Sequence, residues 1–198
     1  MFDLPCRQNP AVEFDRPISG MTTTSRLGKQ ITEVISTLNE IGVRFALIGG
    51  LALASHKVIR ATQDVDLPVA AENADGVEQA LTKLGYERLH RSPDAANYLR
   101  GDERVDLLYA SRPLARRLLT EAAESKTVFG SLRVVGVEGL IGFKLQGFVN
   151  DPRRTQDRED IRALLRANRA TLNMIDVREY FRLFDLEPLL DEILRGLD

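Results

Sequence analysis

The chain has 198 residues, 43% of them hydrophobic and 28% charged, which is enough for one globular core carrying a helical extension. A formal net charge of -2 excludes a general polycation, so any contact with nucleic acid would need a local basic patch. One cysteine (Cys6) and two histidines exclude an intramolecular disulfide and disfavour a structural zinc site; with no run near the roughly 20 apolar residues of a membrane span, a cytoplasmic protein without a membrane partner is expected.

Residues 1–24 hold prolines and no periodic apolar pattern, and read as an arm outside the fold, with Met21 as a candidate start. From Ser25, the residues Leu27, Ile31, Val34, Ile35, Leu38 and Ile41 recur at helical spacing, and Gly42 marks the stop. Val43 to Ile48 predicts a short strand, closed by Gly49 and Gly50 before a small-residue helix from Leu51 to His56. Asp64 to Val69 predicts a second strand, and Gly76 to Leu84 a helix ending at Gly85. Tyr98 to Arg100 and Val105 to Tyr109 suit a hairpin turned at Gly101 and Asp102.

A helix from Leu114 to Ala123 follows, then a second hairpin made of Thr127 to Phe129 and Leu132 to Val135, joined by Gly130 and Ser131. The remainder predicts helices over Glu138 to Val149, Asp157 to Ala167, Val177 to Phe184 and Pro188 to Leu194. The expected fold is therefore α+β, a mixed sheet flanked by helices with a helical C-terminal part. Its divisions would be an arm over 1–24, a core over 25–136 and a helical part over 137–198.

The chemistry is concentrated between Leu47 and Val69. Asp64 and Asp66 alternate with Val65 and Leu67, so both carboxylates leave one face of a strand, about 7 Å apart along the backbone. Like charges so close ask for a cation, and hard oxygen ligands suit Mg²⁺. Upstream, Gly49 and Gly50 at a strand-to-helix turn leave room for a phosphate against the backbone. No Gly-Lys-Ser/Thr follows them and there is no Gly-x-Gly-x-x-Gly, which removes the common ATPase and dehydrogenase readings. Asp106 interrupts the apolar strand around Val105, Leu107 and Leu108 and must find a partner or reach a site. With Asp64 and Asp66 it would complete a three-carboxylate site for two metals roughly 3.5 to 4 Å apart.

Gly49-Gly50 followed by Asp64-Val65-Asp66-Leu67 and a later strand Asp resembles the DNA polymerase β-like nucleotidyltransferase superfamily. Within it, Arg60 to Leu67 and the segment from Gly139 to Ile161 resemble the AbiEii-type nucleotidyltransferases of abortive-infection toxin-antitoxin systems. The resemblance implies a nucleotidyltransferase-type sheet and transfer of a nucleoside monophosphate from an NTP, with two Mg²⁺ ions held by Asp64, Asp66 and Asp106. It implies that Gly49 and Gly50 hold the phosphates, with Asp106 helping to activate an acceptor hydroxyl. Arg60 and Thr62 would position the acidic pair or the nucleotide, and Lys144 would neutralise phosphate charge, although an amphipathic helix can also simply expose a lysine. Asp157 matches the second motif and is a candidate nucleotide-binding residue, the equal alternative being a helix N-cap. Many members carry Ser where Gly50 stands, so here phosphate contacts would rely more on backbone N–H groups.

The main expectation is a toxin acting on a macromolecular acceptor, a tRNA 3′ end or a protein hydroxyl, with a cognate antitoxin as partner. Arg158, Arg162, Arg166 and Arg169 recur on one side of a predicted helix and would track RNA phosphates, with Arg112, Arg116 and Arg117 as a second cluster; the plain alternative is a solvated face. Two other functions compete: nucleotidylation of a small molecule of the aminoglycoside type, which would favour an acidic pocket, and a non-catalytic binding module.

Overall fold

The computed structural model describes residues 25–197, so the expected N-terminal arm lies outside the described residues. Helix α1 (Arg26–Glu40) starts at Ser25, whose Oγ accepts the Gly28 N–H at 3.0 Å, and ends where Gly42 takes a positive φ of 67°. Its buried stripe of Ile31, Val34, Ile35 and Leu38 enters the same core as Val77 and Leu81 of α3 (Ala74–Lys83).

The main sheet contains β1 (Asp64–Ala70), β2 (Glu87–Arg91), β3 (Ala95–Arg100) and β4 (Glu103–Ala110) in the order β1-β4-β3-β2. β1 runs parallel to β4, and the other pairs are antiparallel. One face carries Val65, Leu67, Val69, Val105, Leu107, Ala96 and Tyr98, all nearly or wholly buried. Strand alternation puts Asp64, Asp66, Arg104, Asp106 and Leu108 on the other, only partly covered face. The edge strand β2 was not predicted: Glu87 to Arg91 is exposed throughout, so it has no apolar alternation and owes its form to pairing with β3.

Val43 to Ile48 does not form the expected strand. Phe45 makes a single bridge to Val69 and Leu47 a single bridge to Val134 of β6 (Gly130–Val134). The Ile48 N–H donates to Asp66 O at 3.1 Å and the Leu47 N–H to Arg133 O at 2.8 Å, so the segment joins the main sheet to the hairpin of β5 (Ala123–Thr127) and β6. Neither pairing extends, because the chain must turn at Gly49 (φ 63°) into α2 (Gly49–Ser55). The β5–β6 turn also differs from expectation: Thr127 pairs with Gly130, leaving Val128 and Phe129 as the turn, with the Thr127 hydroxyl accepting the Phe129 N–H at 3.0 Å.

Helix α4 (Pro113–Glu121) and α2 both pack on β1. The C-terminal part is built on α5 (Val137–Asn150), which contacts α6 (Thr155–Asn168) and α7 (Met174–Leu183); α8 (Glu187–Arg195) packs on α7. The outcome is the expected mixed α+β architecture. Among the described residues, no helix is long and apolar enough to cross a membrane.

Candidate active site

The parallel pairing of β1 with β4 brings the acidic residues together. Asp66 lies directly opposite Asp106, and Asp64, one alternation earlier, lies opposite Arg104. Adjacent strands are about 4.8 Å apart, so the two carboxylates that are forty residues apart in sequence become immediate neighbours. Asp106 Oδ1 accepts from Asn97 Nδ2 at 2.7 Å and from Arg104 Nε at 3.1 Å. The Asp66 carboxyl is pushed up to about 6, first by burial and then by the charges of Asp106 and Asp64; Lys144 and Arg154 offset part of this rise.

Gly49 fits against Asp66. A Cβ there would fall 1.9 Å from Asp66 Oδ2, and its positive φ independently disfavours a side chain, so both space and backbone require glycine. At Gly50 an added Cβ would lie 2.6 Å from both Cβ and Oγ1 of Thr62 and 3.1 Å from Arg60 Nη2. The Thr62 side chain thus fills the space that a serine at position 50 would need.

Among the described residues, no three acidic, histidine or cysteine side chains are already gathered as a metal cage. Asp64 leaves the same strand face as Asp66 and Asp106, opposite Arg104 in register, and the Arg104 guanidinium ion-pairs with Asp106. The oxygen donors of Asp66 and Asp106 fit Mg²⁺ in chemistry, and a cation there would offset both the burial and the neighbouring charges that lift the Asp66 carboxyl.

Lys144 is not the exposed helical lysine of the plain expectation: its side chain is only 6% exposed, and its Nζ donates to Asp157 Oδ1 at 3.1 Å and Asp160 Oδ2 at 2.6 Å. Asp157 is no N-cap, since α6 begins at Thr155 and Asp157 sits within the first turn. Its Oδ2 accepts from Arg154 Nε at 2.6 Å, and Arg60 Nε lies 3.4 Å from Asp160 Oδ1. The structure thus adds Arg154 and Asp160 to the residues singled out in the sequence, as it adds Asn97 and Arg104 beside Asp106. The three-residue spacing of Asp157 and Asp160 was a usable signal, because it places two carboxylates on one side of a helix. Asn97 and Arg104 carried none, since only β-pairing sets them around Asp106.

The arginine stripe is divided. Arg158 ion-pairs with Glu192 of α8 at 2.7 Å, and Arg158 and Arg162 are both partly covered, whereas Arg166 and Arg169 are exposed. The second cluster also has acidic neighbours: Arg112 beside Asp94, Arg116 beside Glu72 and Arg117 beside Glu121. In both groups, arginines therefore have carboxylate neighbours that take up part of their charge. His56 caps the C-terminus of α2, its Nε2 2.7 Å from Val135 O, as its place at a helix end implied.

This sheet, with an acidic pair on adjacent strands and a Gly-Gly turn beside it, shares its fold with solved nucleotide-transferring enzymes. The model of the aminoglycoside-2''-adenylyltransferase family matches residues 30–104, a stretch that includes Gly49, Gly50, Asp64 and Asp66 and stops short of Asp106. The solution structure of the antibiotic-resistance factor ANT(2'')-Ia is similar at 18% identity and a TM-score of 0.62, over 90% of this chain and 100% of that one. The crystal structure of ANT(2'')-Ia in complex with adenylyl-2''-tobramycin gives 18% identity and a TM-score of 0.59, over 79% of this chain and 95% of that one. The lincomycin-bound lincosamide antibiotic adenylyltransferase LnuA gives 14% and 0.52, over 69% and 94%. No curated protein matches the chain in sequence. These findings correct the functional expectation: the family match falls on a small-molecule adenylyltransferase, which overturns the toxin acting on a tRNA end or a protein, and it does not fall on the AbiEii type.

Proposed function

We propose that the chain transfers a nucleoside monophosphate, AMP from ATP in the first instance, to a hydroxyl of a small molecule. The observation that carries this reading is the juxtaposition of Asp66 and Asp106 across β1 and β4 with Gly49 against Asp66. The match to a small-molecule adenylyltransferase family over residues 30–104 supports the acceptor class. The non-catalytic alternative is disfavoured by the part-buried acidic pair, in which burial and the charges of Asp106 and Asp64 push the Asp66 carboxyl up to about 6, an arrangement that costs stability.

In this mechanism the acceptor oxygen attacks the α-phosphorus of the NTP, the bond from that phosphorus to the bridging oxygen of the β-phosphate breaks, and pyrophosphate leaves with the bonding electrons. The hydroxyl proton passes to the Asp106 carboxylate, which Asn97 and Arg104 hold in place. Gly49 and Gly50 let the phosphates approach the backbone beside Asp66. Lys144, Arg60 and Arg154, anchored by Asp157 and Asp160, set a positive field on the same side. Asp66 and Asp106, with Asp64 from the same face, would hold Mg²⁺, which when bound supplies compensation for negative charge at the α-phosphate.

The test is incorporation of label from α-labelled ATP, with Mg²⁺, into a panel of small hydroxyl compounds. Asp106→Asn and Asp66→Asn should each lower transfer by about 10²-fold or more while the chain stays folded. Transfer at the wild-type rate by both variants would reject the site.

A further inference from the structure

A cavity of about 410 Å³ lies between β4, α4, α5 and α7, and nothing above uses it. Its size falls within the roughly 300–1,000 Å³ of small-molecule sites. Leu108 forms part of its wall and lies one alternation beyond Asp106 on the same strand face, about 7 Å along the backbone. Leu108 thus brings the cavity wall to within one strand alternation of Asp106. Across it, Gly142 and Gln146 line the wall from one face of α5, being four residues apart. Lys144, two residues from each, leaves the opposite side of the helix toward Asp157 and Asp160. Helix α5 thus separates the basic side, which suits a triphosphate, from the cavity.

The lining is largely apolar: Leu114, Ala115 and Leu118 from α4, Phe143 from α5 and Tyr180 from α7. Gly142 lets the Tyr180 ring lie close to α5, since a Cβ there would stand 2.9 Å from Tyr180 Cδ1. Asp94 is the cavity's one carboxylate among the described residues, and it is already engaged: Arg112 Nη2 lies 3.3 Å from its Oδ2 and Ser111 Oγ donates to its Oδ1 at 3.0 Å. A polycationic acceptor needs several unspent carboxylates to replace its hydration, and these walls do not offer them. An apolar wall instead stabilises a molecule with an apolar face.

Resting on the transferase reading above, we propose that this cavity is the acceptor subsite and that the acceptor is an alcohol of low charge with an apolar face, rather than a polycationic sugar. Ala115 lines the α4 wall, and neither the acidic pair nor Lys144 is among the lining residues, so added volume at Ala115 tests the cavity separately from them.

The experiment compares two probes on the full chain, tobramycin as the polyamine and lincomycin as a singly charged molecule with an apolar portion, by label transfer and by calorimetric binding. Wild type should bind lincomycin at least tenfold more tightly than tobramycin. Ala115→Phe should weaken that binding at least tenfold, and Gln146→Ala a few-fold, while affinity for a non-hydrolysable ATP analogue stays within twofold. Tighter binding of tobramycin, or lincomycin affinity unmoved by Ala115→Phe with the chain folded, would overturn the subsite. Binding that follows the expected pattern without transfer to either probe would uphold the cavity and count against the transferase reading, so the two failures are distinguishable.

Discussion

Two charged regions lie side by side in this molecule and are built on opposite principles. Around Lys144, every buried carboxylate has a cation: Asp157 meets Lys144 and Arg154, and Asp160 meets Lys144 and Arg60. On β1 and β4, Asp66 and Asp106 face each other, Arg104 pairs with Asp106, and Lys144 and Arg154 offset only part of the effect of burial and neighbouring charge that lifts Asp66 toward neutrality. A balanced network stabilises the packing of α5 on α6, whereas an unbalanced pair destabilises the chain until something positive arrives. A carboxylate whose burial and like-charged neighbours are left uncompensated is thus the better pointer to chemistry than burial alone.

The sharpest way to break this comparison is to remove the shared cation. Lys144→Met leaves Asp157 and Asp160 buried with one partner fewer each, and should cost about 3 kcal/mol in denaturant unfolding. Unchanged stability would mean that the network is not structural. Asp66→Asn should act in the other direction, raising metal-free stability by roughly 1 to 3 kcal/mol above about pH 6.

That gain should depend on pH. The ordinary value for the carboxyl is 3.8 and the folded value about 6, so below the first the group is protonated in both states and has no effect. Between them the unfolded chain releases its proton first and wild-type stability falls, levelling off above about 6. Unfolding of wild type and Asp66→Asn in chelator at pH 4.5 and 7.5 should show the difference growing with pH; a constant difference would remove the ionised Asp66 carboxylate as its cause. The smallest effect belongs to the partly solvated Arg158–Glu192 pair, where Arg158→Ala should change stability by no more than about 1 kcal/mol. A loss comparable to that of Lys144→Met would extend the balanced network to α8.

Periodicity and punctuation in the sequence determined most of the elements. The apolar stripe of α1 and its stop at Gly42, the alternation across Asp64 to Val69 and the turn at Gly101 are local patterns, set by helix and strand geometry within a few residues. The same alternation placed Asp64 and Asp66 on one face, and the Gly-Gly turn was legible because only glycine tolerates that close approach. Only tertiary structure decided the rest. β2 exists through its neighbour, and Val43 to Ile48 is a bridge between two sheets, because hydrogen-bond partners distant in sequence leave no local trace. Register alone set Asp106 against Asp66 with Asn97 and Arg104 around it, and helix packing turned Lys144 inward and drew Arg158 to α8. Whether a charge is solvated, paired or left repelling is a property of what folds against it, and that is information a one-dimensional pattern does not contain.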